Sequence, residues 1–387
     1  MNAIVRMLLC AATFGCAWAG AQEVIKVGVV APLTGPFASA GQAFKNGVDA
    51  YIGLHGANVG GRKVEAVYRD SAGSDPSLAK RLAEELVVKD KAAILIGFYL
   101  TPEAASAAAV ATEAKVPLMM VNAASPSLID MSPYFVRMGM TMNQPAFLAA
   151  TYARGKGKSR GYTAVADYSP GHQIEQYFTQ KFTVEGGTMV GSVRIPLNTT
   201  DFAPFAERIA NANPDVIEMF LPPGATAVGF IKALAARGLT KKVLILGQAE
   251  ADDNNLPEFD DSIVGFQSII YVDAYADNPE TKAMTGWLQK NVSADTRPNT
   301  LNVGAYDGMA LAYKMIADQA GKPFDGDVAM KSISNYTFKG PRGTVTVNPN
   351  RQLTQNFYAR EVVKGPDGVK KNQIVKTWEN ETTTNIK

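Results

Sequence analysis

"VVAPLTGPFASAGQ", residues 29–42, is the stretch that decides the fold. An apolar run from Ile25 to Val30 ends at Pro32. Gly35-Pro36 and Gly41 follow, and then residues with helical spacing. Strand, tight turn and helix start is also how nucleotide-binding α/β proteins begin. Both phosphate templates fail here. The stretch lacks G-x-x-x-x-G-K-[ST], and Gly35 and Gly41 do not make G-x-G-x-x-G. A lookalike at Gly157-Lys158-Ser159 has Tyr152 where glycine is needed and precedes a strand, so it reads as a basic turn. The opening stretch is therefore a first βα unit without a phosphate.

The rest of the chain repeats that unit. Apolar, β-branched runs occur at "IKVGVV", "KVEAVYRD", "AAILIG", "PLMMVN" and "YFVRMG" up to Gly139. A second series holds "GYTAVAD", "MVGSVRIP", "VIEMFLPP", "KVLILGQ" and "IVGFQSIIYV". Helical patterns separate most of them. In "DPSLAKRLAEELVVKD", Asp75 is an N-cap candidate, Pro76 suits the first helical position, and Leu78, Leu82 and Leu86 form one stripe. Alternating βα units imply parallel sheets covered by helices on both faces. So many strands exceed one twisted open sheet, which predicts two. Two further helices, "PETKAMTGWLQKNV" and "NVGAYDGMALAYKMIADQ", precede a hairpin-rich tail from Phe338. No long linker separates the halves, which predicts domains joined by several short crossings.

A chain of 387 residues with a formal net charge of +2 supports a sizeable core and gives no reason to expect nucleic acid as a partner. "MNAIVRMLLCAATFGCAWAGAQ" carries Arg6, an apolar stretch from Met7 to Ala17, and small residues at Ala19, Gly20 and Ala21. It reads as a signal peptide cut after Ala21, with Ala19 or a lipoprotein cut before Cys16 as alternatives. The apolar stretch is too short to span a membrane. Both cysteines, Cys10 and Cys16, lie in it, so the mature chain is expected to have no disulfide, thiol catalysis or thiolate metal site.

Catalytic templates fail as well. His55 and His172 lack metal-ligand spacing, and no G-x-S-x-G elbow occurs. Asp252-Asp253 and Asp260-Asp261 read as solvated turn acids. The reading is no enzyme, no metal and no cofactor.

In a parallel sheet, ligands sit beyond the carboxyl ends of the strands. Three early loops qualify: Pro32 to Gly41, "FYLTPE" and "AASPS". Each carries a hydroxyl residue placed to cap a helix: Ser39, Thr101 and Ser125. Three helix N-termini side by side favour a carboxylate or similar anion. Phe37, Phe98 and Tyr99 would form an apolar wall. "ADYSPGHQ", "LPPGAT" and "GQAEADD" repeat the pattern in the second half. If the two edges face each other, they enclose a small molecule.

The opening stretch extended to "IKVGVVAPLTGPFASAGQAFKNGVDAYI", the Asp70 to Pro76 turn, "LIGFYLTPEAASAAAVATEAKVPLMMVNAAS" and "NVGAYDGMALAY" resemble the leucine/isoleucine/valine-binding protein family. These are periplasmic substrate-binding proteins of ABC importers with the type I fold, and the resemblance spans roughly residues 23–380. It implies two Rossmann-like three-layer α/β domains joined by three crossover segments near Gly139, Tyr271 and Thr344. Residues 23–139 with 272–343 would form the N-terminal lobe, and 140–271 with 344–387 the C-terminal lobe, after a signal peptide at 1–21. The implied mechanism is closure of a hinged monomer on one ligand, delivered to an inner-membrane ABC permease and its ATPase from the periplasm. A ligand sensor feeding a signalling receptor is the alternative.

Family binding positions fall on Thr101, Ala123 and Ser125, with Ala124 between the last two, and hold a carboxylate. The first loop adds Phe37, Ser39 and Ala40, the last where other members carry tyrosine. In the second lobe Tyr168 is a candidate ligand-binding residue. Pro170 stands where an aromatic residue is expected, and Pro223 or Gly224 where another is. An acid that pairs with an amino-acid ammonium would align on Ala249 or Glu250. A Glu250 in the cleft keeps an amino acid possible; a Glu250 facing water favours an uncharged tail. Some relatives with sequences of this style take aromatic acids, and "PLNTTDFAPFAERI" and "YDGMALAY" lean that way.

Overall fold

A computed structural model describes residues 23–73 and 75–382 of the chain; the expected signal segment and both cysteines lie outside them. The first strands are β1 (Val24–Ala31), β2 (Asn58–Val59), β3 (Arg62–Asp70), β4 (Ala92–Gly97), β5 (Leu118–Met120) and β6 (Phe135–Arg137). Next come β7 (Arg160–Ala166), β8 (Thr188–Ile195), β9 (Val216–Phe220), β10 (Leu244–Gly247) and β11 (Gln267–Ile270). The tail adds β12 (Tyr336–Gly340), β13 (Gly343–Val347), β14 (Leu353–Lys364) and β15 (Lys370–Glu381). Every apolar run named above carries a strand.

They form two sheets. One runs β2-β3-β1-β4-β5-β6; the other runs β12-β13-β14-β11-β10-β9-β7-β8, with β15 on β14. The segments β3-β1-β4-β5-β6 and β8-β7-β9-β10-β11 have the same order and are parallel throughout. In each, the first strand has neighbours on both sides, which makes a switch point where loops diverge and leave a crevice. Val27, Val29 and Val30 are fully buried because β1 is covered on both faces.

The helices are α1 (Ala38–His55), α2 (Pro76–Glu84), α3 (Thr101–Ser106), α4 (Ala108–Ala114), α5 (Asn143–Gly155) and α6 (Ser169–Val184). Then come α7 (Ala203–Ala212), α8 (Ala225–Ala236), α9 (Pro279–Asn291), α10 (Thr300–Ala317) and α11 (Gly326–Ser332). Asp75 caps α2 as expected, its carboxylate accepting from the Ser77 N–H at 2.8 Å. None of the helices among the described residues is long and apolar enough to cross a membrane.

The first sheet's two faces are closed by α1, α10 and the β12–β13 hairpin on one side and by α2 to α4 on the other. Gly47 lets α1 and α10 touch: a Cβ there would lie 2.0 Å from the Asn302 carbonyl oxygen. The second sheet packs α7 and α8 on one face. On its other face the apolar cluster continues through α5 and α6 into α9 and α10. The chain passes between the sheets after β6 and after β11. A third passage runs inside β14: Leu353 packs with the first sheet's core, Phe357 and Ala359 with the second's. The hairpin that holds Thr344 packs Val345 and Val347 against the first sheet.

Candidate functional site

The loop after β1 is shaped by a carboxylate from the neighbouring strand. Asp70, the last residue of β3, accepts from the N–H groups of Leu33, Thr34 and Ala72 and from the Thr34 hydroxyl, at 2.6 to 3.2 Å. Burial opposes its ionisation, but these bonds outweigh it and hold the carboxyl below its usual range. The turn Gly35–Phe37 is 3₁₀, and α1 starts at Ala38. Ser39 is therefore not a cap; it sits inside the first turn of α1, exposed. Ala40 is buried behind it, and Phe37 is half-buried with its ring 5.1 Å from that of Tyr99.

The loop after β4 turns sharply. Gly97 has φ +126°, and a Cβ there would lie 2.0 Å from the Val30 carbonyl oxygen, so only glycine fits. Phe98 follows at φ 61°, a left-handed conformation that costs free energy for a bulky residue. Its side chain is fully buried in the core on the α2–α4 face, so it is withdrawn from the expected apolar wall. Tyr99 takes that place, held by Asn122 Nδ2, which donates to its carbonyl at 2.9 Å. Thr101 is the first residue of α3, not its cap. Glu103 does the capping instead: its Oε2 accepts from the N–H groups of Tyr99 and Leu100 at 3.1 and 3.0 Å. Burial pushes the Glu103 carboxyl up, against those two bonds.

The loop after β5 carries Ala123, Ala124 and Ser125, all buried. Ser125 precedes a 3₁₀ turn, Pro126–Met131, and its hydroxyl makes no capping bond to it. Beneath the loop lies Arg137, the last residue of β6. Its guanidinium donates to the carbonyls of Ala123 at 2.5 Å and Ser125 at 2.7 Å, and to Gln352 Oε1 at 3.2 Å. It is 1 % exposed, and no carboxylate pairs with it among the described residues. Burial pushes its pKa down to about 10, still well above neutrality. A guanidinium that occupies the loop's carbonyls leaves a positive charge under this edge and the loop's other face free. In the sequence Arg137 was one residue of the run "YFVRMG", and nothing local distinguished it.

The second edge is acidic underneath. Tyr168 is the N-cap of α6, Pro170 is half-buried in its first turn, and the Tyr168 ring stacks on Phe220 at 6.1 Å. Pro223 is exposed, and Gly224 at φ 94° precedes α8. Glu250 does not face water. It is 1 % exposed, its Oε1 accepts from the Leu221 N–H at 3.0 Å and its Oε2 from the Gln248 N–H at 2.6 Å. Burial raises its pKa to about 7 despite these bonds. Nearby Glu218 is fully buried, accepts from Gln248 Nε2 at 2.6 Å and has no cationic partner among the described residues. Burial pushes its carboxyl well above its ordinary value, against the bond from Gln248.

Tyr168 on the second edge lies within electrostatic range of Tyr99 on the first. Burial raises the Tyr168 phenol, and the charges of Tyr99, from the first edge, and Glu250 raise it further. Tyr99 is itself pushed up to about 12 by burial and by Glu103. The arrangement thus has a cationic floor at Arg137, aromatic rings from both edges, and a far end built on two buried acids, Glu250 bonded to backbone and Glu218 to the Gln248 side chain.

Two other readings change. Asp252 and Asp253 are buried, not solvated: Asn372 on β15 donates to Asp253 at 3.0 and 3.1 Å, and Arg360 lies 3.8 Å from it. Asp260 and Asp261 are exposed as expected. The histidines bond to Tyr306 and Asp167 at 2.9 and 2.7 Å, and neither bonds a serine or threonine hydroxyl among the described residues.

The family model described as periplasmic binding protein matches residues 24–367. The chain is 37% identical over 369 residues to a Leu/Ile/Val-binding protein homolog 6 of Brucella melitensis, covering 94% of each. Among solved structures, it is 39% identical to the solute-binding protein of an ABC transporter from Rhodopseudomonas palustris HaA2 in complex with p-hydroxybenzoic acid. That pair has a TM-score of 0.87 and covers 93% of this chain and 98% of the other. A solute-binding protein from R. palustris BisB5 in complex with 3,4-dihydroxybenzoic acid is 33% identical, with a TM-score of 0.87 and coverage of 94% and 99%.

Proposed function

The chain belongs to the periplasmic binding protein family, and from that premise we propose that it captures an aromatic acid between its two sheet edges for an ABC permease. Its architecture is the type I periplasmic-binding fold read from the sequence. The family and its solved relatives are transport solute-binding proteins, not enzymes. In our reading the ligand carboxylate lies on the outer face of the Ala123–Ser125 loop. Arg137 is the observation that carries this: a buried cation without an acid partner favours an anion beside it. The Ser125 hydroxyl, 9 % exposed, and the Thr101 hydroxyl supply donors. Phe37, Tyr99 and Tyr168 sandwich the ring.

The second edge supports an uncharged tail. A buried ammonium needs an acid that is free to pair. Glu250 is buried and bonded to two backbone N–H groups, and burial raises its carboxyl to about 7, which makes it a weaker partner for an ammonium than an ordinary carboxylate; Glu218 is raised by burial as well. The relatives crystallised with hydroxybenzoic acids agree with this reading. The name of the Brucella relative favours a second reading, a branched-chain amino acid. Closure of the two lobes on the ligand, export to the periplasm and delivery to a permease complete the proposal.

Calorimetric titration with 4-hydroxybenzoate, 3,4-dihydroxybenzoate, benzoate and leucine tests it. The expected result is tight binding of a hydroxybenzoate with a matching rise in melting temperature. Binding of leucine alone would sink the aromatic-acid reading.

A further inference from the structure

We propose that Arg342, Asp307 and Gln355 form a clamp that ties the three inter-lobe passages to one another and sets the angle between the lobes. Arg342 sits in the turn between β12 and β13. Its Nε donates to Asp307 Oδ2 on α10 at 2.6 Å, and both side chains are 0 % exposed. Its Nη1 donates to Gln355 Oε1 on β14 at 2.7 Å. Gln355 Nε2 donates onward to the Gly139 carbonyl at 3.0 Å. The guanidinium lies over the Tyr271 ring, 4.7 Å from its centroid. The Tyr271 hydroxyl donates to the Thr300 carbonyl at 3.2 Å. Gly139 follows β6, Tyr271 follows β11 and Gln355 lies in β14, so one guanidinium meets two passages directly and the third through the Gln355 amide.

The neighbouring contacts fix the turn to the first lobe. The Pro341 carbonyl accepts from Thr281 Oγ1 at 2.6 Å and Asn278 Nδ2 at 3.3 Å, both at the start of α9. Gly340 is required beside Asp307, since a Cβ there would lie 2.2 Å from Asp307 Oδ1. The ion pair is thus rigid on the first-lobe side, while the Gln355 amide, the Gly139 carbonyl and the Tyr271 ring belong to segments that must twist when the lobes move. A fully buried ion pair is a weak source of stability compared with apolar residues of the same volume. Planar guanidinium geometry, by contrast, fixes direction. Any change in lobe angle must break or re-aim the Gln355 link. The clamp therefore favours the arrangement described here, in which Tyr168 faces Tyr99. Arg342 and Gln355 are positioning residues: they touch no ligand and act through the passages.

The proposal rests on capture by lobe closure, and its test separates the two. In a C10S/C16S background, nitroxide labels on E113C and A236C, both exposed, report the distance between α4 and the end of α8 by pulsed EPR. Gln355→Leu keeps the ion pair and removes both of its links. Arg342→Lys keeps the charge and loses the fork. Without ligand, each variant should add a second, longer distance population absent from the parent. Dissociation of 4-hydroxybenzoate should become about tenfold faster. A parent-like distance distribution in both variants overturns the clamp, including when the melting temperature falls, because that marks a merely structural role. If the parent binds no 4-hydroxybenzoate, the ligand reading fails and the label distances still decide the clamp.

Discussion

Replacing Glu250 with glutamine should reverse its effect on stability between mildly acidic and alkaline pH. Burial raises the Glu250 pKa to about 7, against the hydrogen bonds from Leu221 and Gln248. The ordinary value of a glutamate, which the unfolded chain keeps, is 4.5. Between those values the folded protein holds a proton that the unfolded chain has lost, so stability falls as pH rises through the window. Ionising the buried group costs about 3 kcal/mol more in the folded state. Some 0.8 kcal/mol of that is already lost by about pH 5, which leaves roughly 2.5 kcal/mol to be lost by about pH 8. Glutamine does not titrate, but it turns an amide N–H₂ toward one of the two backbone donors, a loss of about 1–2 kcal/mol. The variant should therefore be less stable than the parent near pH 5 and more stable near pH 8. Urea denaturation of the ligand-free protein across this range measures the difference. Asp252, also raised by burial, adds slope to parent and variant alike and cancels; Glu218 is pushed up further by the Glu250 charge, so loss of that push in the variant adds to the difference at higher pH. A difference constant to within about 0.5 kcal/mol across the range would refute the reasoning.

Arg137→Met removes the buried guanidinium under the first edge and should weaken hydroxybenzoate binding at least about tenfold by calorimetry, whereas parent-like affinity would remove Arg137 from the site. Ser125→Ala should weaken the same binding by roughly three- to tenfold with little change in melting temperature, as loss of one hydrogen bond predicts. Gly340→Ala forces a Cβ against Asp307 and should destabilise the fold by about 2–3 kcal/mol; an unchanged thermal midpoint would show that the carboxylate moves aside freely.

The sheets could be read from the chain because parallel strands buried on both faces leave continuous apolar runs, as in "KVGVV" and "AAILIG". Which group caps a turn was harder, because competition among nearby acceptors decides it. Ser39 and Thr101 have capping chemistry, yet the helices begin before Ser39 and at Thr101, and the loops ahead of them are held by Asp70 and Glu103, one of them from a strand 36 residues away. Charge burial was hidden for a related reason. Asp253 looks like a turn acid until Asn372, 119 residues later, is laid across it. Arg137 and Arg342 read as ordinary strand and turn residues, since their partners, carbonyls and an amide for the one and a carboxylate and an amide for the other, come from other segments. Pattern along the chain reports what is near in sequence; the site is made where separate loops meet.

The course of β14 has a consequence for how the chain acquires its shape. The first sheet's core is not closed until α10, α11, the β12–β13 hairpin and Leu353 have been added. The second sheet's core waits for Phe357, Ala359 and Val362 of the same strand. Neither half can fold as it emerges from the ribosome, because each lacks a wall supplied by the last part of the chain. Folding is thus postponed until nearly the whole polypeptide has been made, and the two halves are completed by a single segment within about ten residues of each other. A chain stopped after β11 should yield no folded first half, only an unfinished one.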